Sequence, residues 1–173
     1  LAPQPLPNER VLSLLKMLRD DLRQVIDQGS SAGAQVPETP VQWAAPLRHR
    51  FTRIFDEMGV TSQWDIPPQW QGWPSALQCL GLTRLVEEAL SNTIKHSRAR
   101  QVRVQCTQPQ PGVLCLRIED DGVGFDVQAV QHAGLSVGMR SMAARAERMG
   151  GTLEVVSGVA GTVVTVVLTL QRS

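Results

Sequence analysis

LVEEALSNTIKH, residues 85–96, is the stretch from which the fold can be predicted. Glu88, Asn92 and His96 recur every four residues, so they share one flank of a predicted helix. Lys95 lies beside them. A carboxylate, an amide and an imidazole on such a flank can reach into a cleft beside a sheet, although a solvated helix face gives the same pattern. The face that would hold this helix on a core consists of Leu82, Leu85, Val86, Ala89, Leu90 and Thr93.

A second informative stretch is LRIEDDGVGFD, residues 116–126, where a predicted strand runs into Asp120. A carboxylate at a strand end can accept a hydrogen bond from an exocyclic amine such as that of adenine. Gly122 and Gly124 allow positive φ or a close approach to a flat ligand. Asp-Gly is also common in hairpin turns, but here the chain continues in a long excursion instead of a returning strand. No Gly-Lys-Ser/Thr follows and no third glycine opens a helix, which excludes a P-loop and a dinucleotide fingerprint.

Two further stretches are weak evidence for a ligand site when each is taken alone. In HAGLSVGMRSMAARAERMGG, residues 132–151, Gly134 and Gly138 flank the start of a predicted helix and leave backbone N–H groups where a phosphate could bind. Thr162 follows Gly161 at the start of the last predicted strand. It either binds a ligand or simply begins the strand.

The remaining pattern predicts an α+β two-layer sandwich, in which helices pack on one face of a mixed sheet. An N-terminal helix predicted over Asn8–Gln28 precedes this sandwich. Its apolar residues have the spacing of a coiled coil, which suits either a dimer-forming helix or an amphipathic helix that packs on its own domain. We therefore divide the chain into a helix with a flexible linker, residues 1–40, and a globular domain, residues 41–173. In the domain the pattern predicts helices from Val41 to Gly59, at 75–97 and at 138–149, and strands at 61–66, 101–107, 113–120, 152–157 and 162–170.

Composition limits the classes of function. The 17 basic and 16 acidic residues nearly cancel and form no long basic run, which argues against nucleic acid as a partner. No stretch approaches the roughly 20 apolar residues that span a bilayer. We interpret the chain, which begins at Leu1, as a fragment. Cys106 and Cys115 fall on opposite faces of a predicted hairpin, so they and Cys79 are expected to be free thiols in a reducing cytoplasm.

Together the stretches EEALSNTIKHSRA, DDGVGF and GLSVGMRSMAARAERMGGTLEV resemble the ATP-binding catalytic domain of bacterial sensor histidine kinases. They look most like the nitrate-sensor-like subfamily, over about residues 80–170. The resemblance implies the Bergerat-type fold, which gyrase, heat-shock chaperone and mismatch-repair ATPases share, and it implies ATP and Mg²⁺ as cofactors.

The resemblance also implies roles for the helix flank. Asn92 matches the Mg²⁺ ligand of the family. Glu88 matches the acidic residue that assists as base or polarises the attacking imidazole. Lys95 and His96 match positions near the triphosphate.

At the other end of the site, Asp120 matches the carboxylate that reads the adenine amine, and Thr162 matches a threonine that helps to hold adenine. Gly122 and Gly124 would make room for the base and begin a lid. The second glycine box, which closes over the phosphates, would comprise Gly134 and Gly138.

The implied function is transfer of the γ-phosphoryl group to a histidine outside this chain, because His49, His96 and His132 do not fit a phosphoacceptor. The implied partners are the protein's own dimerisation and phosphoacceptor domain, in a homodimer, and a response regulator. The domain would be cytoplasmic in a parent protein of the bacterial inner membrane. The helix Asn8–Gln28 could be the end of the dimerisation helix.

Two alternatives share the fold. One is a nucleotide-binding signalling module that transfers no phosphoryl group, and the presence of Glu88 and Asn92 argues against it. The other is a serine kinase of the anti-sigma-factor type, which usually needs no coiled-coil helix upstream.

Overall fold

The computed structural model describes residues 36–122 and 137–170. The predictions for the helix Asn8–Gln28, for the lid and for Gly124 and Gly134 fall outside these ranges. The helices and strands of the described ranges are α1 (Pro40–Met58), β1 (Thr61–Asp65), α2 (Ala76–Asn92), β2 (Gln101–Gln110), β3 (Val113–Asp120), α3 (Val137–Arg148), β4 (Gly151–Gly158) and β5 (Gly161–Thr169).

The five strands form one sheet in the order β1-β2-β3-β5-β4. β1 runs parallel to β2, and the other neighbours are antiparallel, with Val104 opposite Ile118 and Ile118 opposite Val164. Alternate residues of β2, β3 and β5 are buried under the helices, including Val104, Leu116 and Val166. The predicted two-layer sandwich with a mixed sheet is therefore confirmed.

Both α1 and α2 begin at side-chain caps. The Thr39 hydroxyl accepts a hydrogen bond from the amide of Gln42 at 3.0 Å, and Pro40 occupies the first turn of α1. Ser75 and Gln78 form a reciprocal capping box at the start of α2, with bonds of 3.1 and 2.9 Å. These caps satisfy amide groups that the first helical turn leaves without partners.

Gln78 also connects α2 to two other elements. Its side-chain amide donates to the carbonyl oxygens of Met149 and Thr169, both at 3.0 Å, and the residue is only 5% exposed. Gly81 lies one turn further on, and a Cβ there would meet the Met149 sulfur at 1.8 Å. The start of α2 is thus held against the end of α3 and the end of β5.

The opposite face of the sheet carries charged residues. Arg103 contacts Asp65 at 2.6 Å and Glu119 at 3.8 Å, and Arg117 contacts Glu119 at 3.1 Å. Cys115 belongs to this face, whereas Cys106 is buried beneath the helices. The prediction of free cysteines is confirmed for Cys79, Cys106 and Cys115.

The described fold begins upstream of the predicted start at Val41. Val36 packs against the core, and the carbonyl oxygen of Pro37 accepts a hydrogen bond from the Trp70 indole at 2.9 Å. A largely buried indole N–H needs such a partner, so the last residues of the predicted linker are held by the domain. No helix within residues 36–122 and 137–170 is long and apolar enough to cross a membrane.

Candidate functional site

The polar flank of α2 lies where the sequence predicts it. The residues of the predicted apolar face are all buried, with exposed fractions between 0% and 8%. Glu88 and Asn92 are half-buried beside them, and Lys95 is exposed. The α-helix ends at Asn92 and continues as a π-helical turn, Thr93–Ser97, which includes the backbone of His96. The chain therefore changes from α-helix to π-helix between Asn92 and His96. Short π-helical turns of this kind are frequent at functional sites.

Asp120, the last residue of β3, lies against the end of α2. One carboxylate oxygen, Oδ1, accepts a hydrogen bond from the Gly122 amide at 2.9 Å, and Oδ2 accepts one from the Thr93 hydroxyl at 3.2 Å. Burial raises the pKa of the Asp120 carboxyl, while the Gly122 amide, the Thr93 hydroxyl and the Thr162 amide lower it. The end of α2, next to Asn92, and the end of β3 are thus in contact through Thr93, a residue of the buried helix face.

Asp121 has a different environment from its neighbour. Its Oδ1 accepts hydrogen bonds from the amides of Arg100 and Gln101, both at 2.8 Å. These bonds hold the end of β3 against the start of β2, so Asp121 has a structural role. Of the two adjacent aspartates, Asp120 is the one whose side chain contacts the end of α2.

Thr162 completes this end of the sheet. It lies opposite Asp120 in the β3–β5 register and is 7% exposed. Its hydroxyl lies 2.8 Å from the Ser157 hydroxyl of β4. The sequence predicts Thr162 as a site residue but gives no sign of its contact with Ser157 or of the contact made by Thr93, because both depend on elements that meet only in the fold.

Gly161 is a further residue whose importance the sequence did not reveal. Its φ of 126° lies in the region that favours glycine, and a Cβ there would be 1.9 Å from the carbonyl oxygen of Asp120. The backbone of β5 therefore approaches Asp120 as closely as it does only because this residue has no side chain.

Of the predicted glycines Gly124, Gly134 and Gly138, the structure describes one. Gly138 lies in the first turn of α3. Gly124 and Gly134 are outside the described ranges, so the glycine boxes stay predictions.

A buried carboxyl group next to Glu88 was also missed. Glu87 is 6% exposed, and its Oε1 lies 3.5 Å from Nη2 of Arg50 on α1. Burial raises the pKa of the Glu87 carboxyl to about 7, although Arg50, Arg84 and Arg145 pull it down. In the sequence, Glu87 is one member of a Glu-Glu pair on a polar helix face, and nothing there shows that it points between helices.

The Glu87→Gln variant is expected to lose a pH dependence of stability that the wild type shows. The native carboxyl binds its proton more tightly than the unfolded one, whose pKa is 4.5, so wild-type stability falls as the pH rises from about 4.5 through about 7. The shift corresponds to about 3 kcal/mol. Urea unfolding between pH 5 and pH 8 should show this fall in the wild type and a flatter curve in the variant, which should be the more stable protein at pH 8.

Glu154→Gln is the matched control, because this exposed carboxylate lies on β4. It should keep the wild-type curve. An equally steep fall in Glu87→Gln would show that another group carries the pH dependence.

The side chains near Asn92 offer few metal ligands, which suits a metal ion that enters the site already bound to a ligand. Among the side chains that the structure describes, no group of three or more His, Cys, Asp and Glu residues is arranged to hold a metal. Mg²⁺ commonly takes one or two protein ligands and completes its shell with phosphate oxygens and water. Asn92, with Glu88 one turn away, fits this mode of binding.

Comparisons with known proteins identify the family and the fold. Residues 79–172 match the family described as histidine kinase-, DNA gyrase B-, and HSP90-like ATPase. The sensor histidine kinase LiaS of Bacillus subtilis is 41% identical over 115 residues, which cover 64% of this chain and 30% of LiaS. The sensor protein VraS of Staphylococcus haemolyticus is 40% identical over 76 residues, or 44% of this chain and 21% of VraS. The chain thus spans less than a third of either relative.

Solved structures share the fold. The histidine kinase domain of the Erythrobacter litoralis EL346 blue-light activated histidine kinase has a TM-score of 0.65 at 20% identity, covering 94% of this chain and 74% of that one. The mycobacterial sensor histidine kinase MprB has a TM-score of 0.58 at 23% identity, covering 77% and 97%. With more than half of its residues matching the family, this chain belongs to the histidine kinase-, DNA gyrase B- and HSP90-like ATPases.

Proposed function

We propose that this chain binds Mg²⁺-ATP and is the catalytic domain of a two-component sensor histidine kinase. In this proposal it transfers the γ-phosphoryl group to a histidine outside the chain, for relay to a response regulator. The observation that carries the proposal is the contact between Thr93 and Asp120, since it joins the amide-bearing end of α2 to the carboxylate at the end of β3. The names of the relatives, sensor histidine kinase and sensor protein, support the same activity.

Asp120 is proposed to accept a hydrogen bond from the adenine amine. A carboxylate offers about four lone-pair sites, and Gly122, Thr93 and Thr162 use three of them. One acceptor site is therefore left for a ligand donor. Thr162 is proposed to help hold the base, and Gly122, with Gly124, to make room for it.

Asn92 is proposed to hold the Mg²⁺ that neutralises the triphosphate. Phosphoryl transfer needs mainly positioning and charge stabilisation from the protein, and one amide on a well-packed helix supplies a fixed ligand. Glu88 would assist the attacking imidazole as base or by polarising it. Lys95, together with His96 and the glycines Gly134 and Gly138, would contact the phosphates.

The remaining proposals concern the whole protein. The domain would serve its own dimerisation and phosphoacceptor domain in a homodimer, with residues 1–40 leading from the dimerisation helix. It would lie in the cytoplasm below an inner-membrane anchor. Membership of a nitrate-sensor-like subfamily stays a prediction.

Asp120→Ala is expected to remove the preference for ATP over GTP and to weaken ATP binding about 10- to 100-fold. A hydrogen bond to a charged group contributes about 1.5–3 kcal/mol. Calorimetric titration with both nucleotides measures the change. The control is Asp121→Ala, which removes the neighbouring carboxylate and should lower stability while keeping the preference. If Asp120→Ala retained the wild-type preference, the adenine contact would be assigned to the wrong residue.

The transfer reaction is tested by the chemistry of its product. With labelled ATP and a preparation that includes the phosphoacceptor domain, a histidine kinase yields an acid-labile phosphoryl group. An acid-stable product would instead support a serine kinase of the anti-sigma-factor type. Nucleotide binding without any product would support a signalling module that transfers nothing.

A further inference from the structure

The Thr93 hydroxyl lies between two acceptors. Its Oγ1 is 3.2 Å from the carbonyl oxygen of Ala89, one turn back on the same helix, and 3.2 Å from Oδ2 of Asp120. A hydroxyl has one proton and can donate to only one of them at a time. The bond to Ala89 is the ordinary local contact of a helical threonine, whereas Asp120 is 27 residues away on another element.

The two acceptors do not need the proton equally. The Ala89 carbonyl also accepts the backbone amide of Thr93 in the helix, so it keeps a partner without the hydroxyl. Oδ2 of Asp120 belongs to a partly buried carboxylate, and hydrogen bonds to an ionised acceptor are stronger than neutral ones. The ionised carboxylate therefore favours donation from Thr93 to Asp120.

Three donors bond the carboxylate, one of them the Thr162 amide, and two of the three hold its separate oxygens. The Gly122 amide holds Oδ1 from the chain that follows β3, and the Thr93 hydroxyl holds Oδ2 from α2. Thr93 is 8% exposed and β-branched, so its side chain has little rotational freedom. The carboxylate cannot turn about its last bond without losing one of these donors.

We propose that Thr93 is a positioning residue, which orients Asp120 toward the amino group of adenine. The role rests on the proposed function of this site. Because Thr93 directly follows Asn92, one short segment then provides the metal ligand and sets the orientation of the base-reading carboxylate. Thr93 acts through Asp120 and touches no reacting atom.

The test compares ATP with purine riboside triphosphate, which lacks the 6-amino group. Thr93→Val keeps the shape and β-branching of the residue but removes the hydroxyl, and Thr93→Ser keeps the hydroxyl. For Thr93→Val, ATP affinity should fall about 5- to 20-fold, while affinity for the analogue should stay within about twofold of wild type. Thr93→Ser should bind both nucleotides like the wild type.

Two further variants separate positioning from folding. Thr93→Ala is a second variant without the hydroxyl. It should likewise lose affinity for ATP and keep its affinity for the analogue. Thr83→Val is the matched control on α2, because the Thr83 hydroxyl bonds the carbonyl oxygen of Cys79 at 3.0 Å and accepts the Trp43 indole at 3.0 Å. It should lower the unfolding temperature and leave the ratio of the two affinities unchanged.

The outcomes are distinct. Equal weakening of both nucleotides in Thr93→Val and Thr93→Ala, or an unchanged ATP preference, would overturn the positioning role and leave the proposed function standing. A wild-type domain that binds ATP no better than the analogue, or binds neither, would overturn the adenine contact of Asp120 and the role of Thr93 with it.

Discussion

Replacing Asn92 with alanine should abolish Mg²⁺-dependent ATP binding and reduce phosphoryl transfer by at least about a hundredfold. Loss of one preorganised group at a developing charge commonly costs about 10²- to 10³-fold in rate. Asn92 is half-buried at the last residue of α2, just before the π-helical turn, where the packed core fixes its backbone. In the range that the structure describes, no cluster of acidic or imidazole side chains could replace it as a metal site.

Titration with a non-hydrolysable ATP analogue, with and without Mg²⁺, measures the effect. Gln105→Ala is the control, since it removes an amide from the opposite face of the sheet and should bind as the wild type does. Mg²⁺-enhanced binding that survives in Asn92→Ala would place the metal elsewhere. Wild-type binding that is indifferent to Mg²⁺ would leave an adenine pocket without transfer machinery, and the signalling-module interpretation would then be preferred.

Gly161→Ala should destabilise the domain by about 3 kcal/mol or more and weaken ATP binding as well. Two effects combine at this position. The φ of 126° is strained for any residue with a side chain, and the new Cβ would overlap the carbonyl oxygen of Asp120 at 1.9 Å. The obstruction is backbone and cannot swing aside, so the chain at Asp120 must shift, and its carboxylate with it.

Gly158→Ala provides a control at the other end of the same turn. A Cβ at Gly158 meets nothing within 4 Å. Urea unfolding and ATP titration of both variants should show a large loss for Gly161→Ala and a small change for Gly158→Ala. Similar small losses in the two variants would mean that β5 can move away from β3 without disturbing the site.

The sequence was most informative where a pattern is local. The helical spacing around Glu88 and Asn92 predicts both the buried face and the polar flank, and the alternation in β2 and β3 separates Cys106 from Cys115. These features depend on which side of one element a residue occupies, so a single stretch of chain contains the information.

The rest depends on elements that meet only in the folded molecule. Thr93 was assigned to the buried face, which is correct for its location but conceals its hydrogen bond to Asp120. Glu87 resembles a solvated residue until Arg50 of α1 is placed against it. In the sequence Gly161 is an ordinary turn glycine, and only the fold shows the backbone of Asp120 beside it. In each case the missing information is a contact between residues distant in sequence.

The two polar contacts of α2 limit how this helix can move. Gln78 fastens its start to β5 and α3, and Thr93 fastens its end to β3, about 22 Å further along the axis. A helix held by apolar packing alone can slide by a small step, but here sliding in either direction would break partly buried hydrogen bonds at both ends. We therefore expect these contacts to resist a piston-like displacement of α2, so that a conformational change beside this helix would involve the segments that adjoin it.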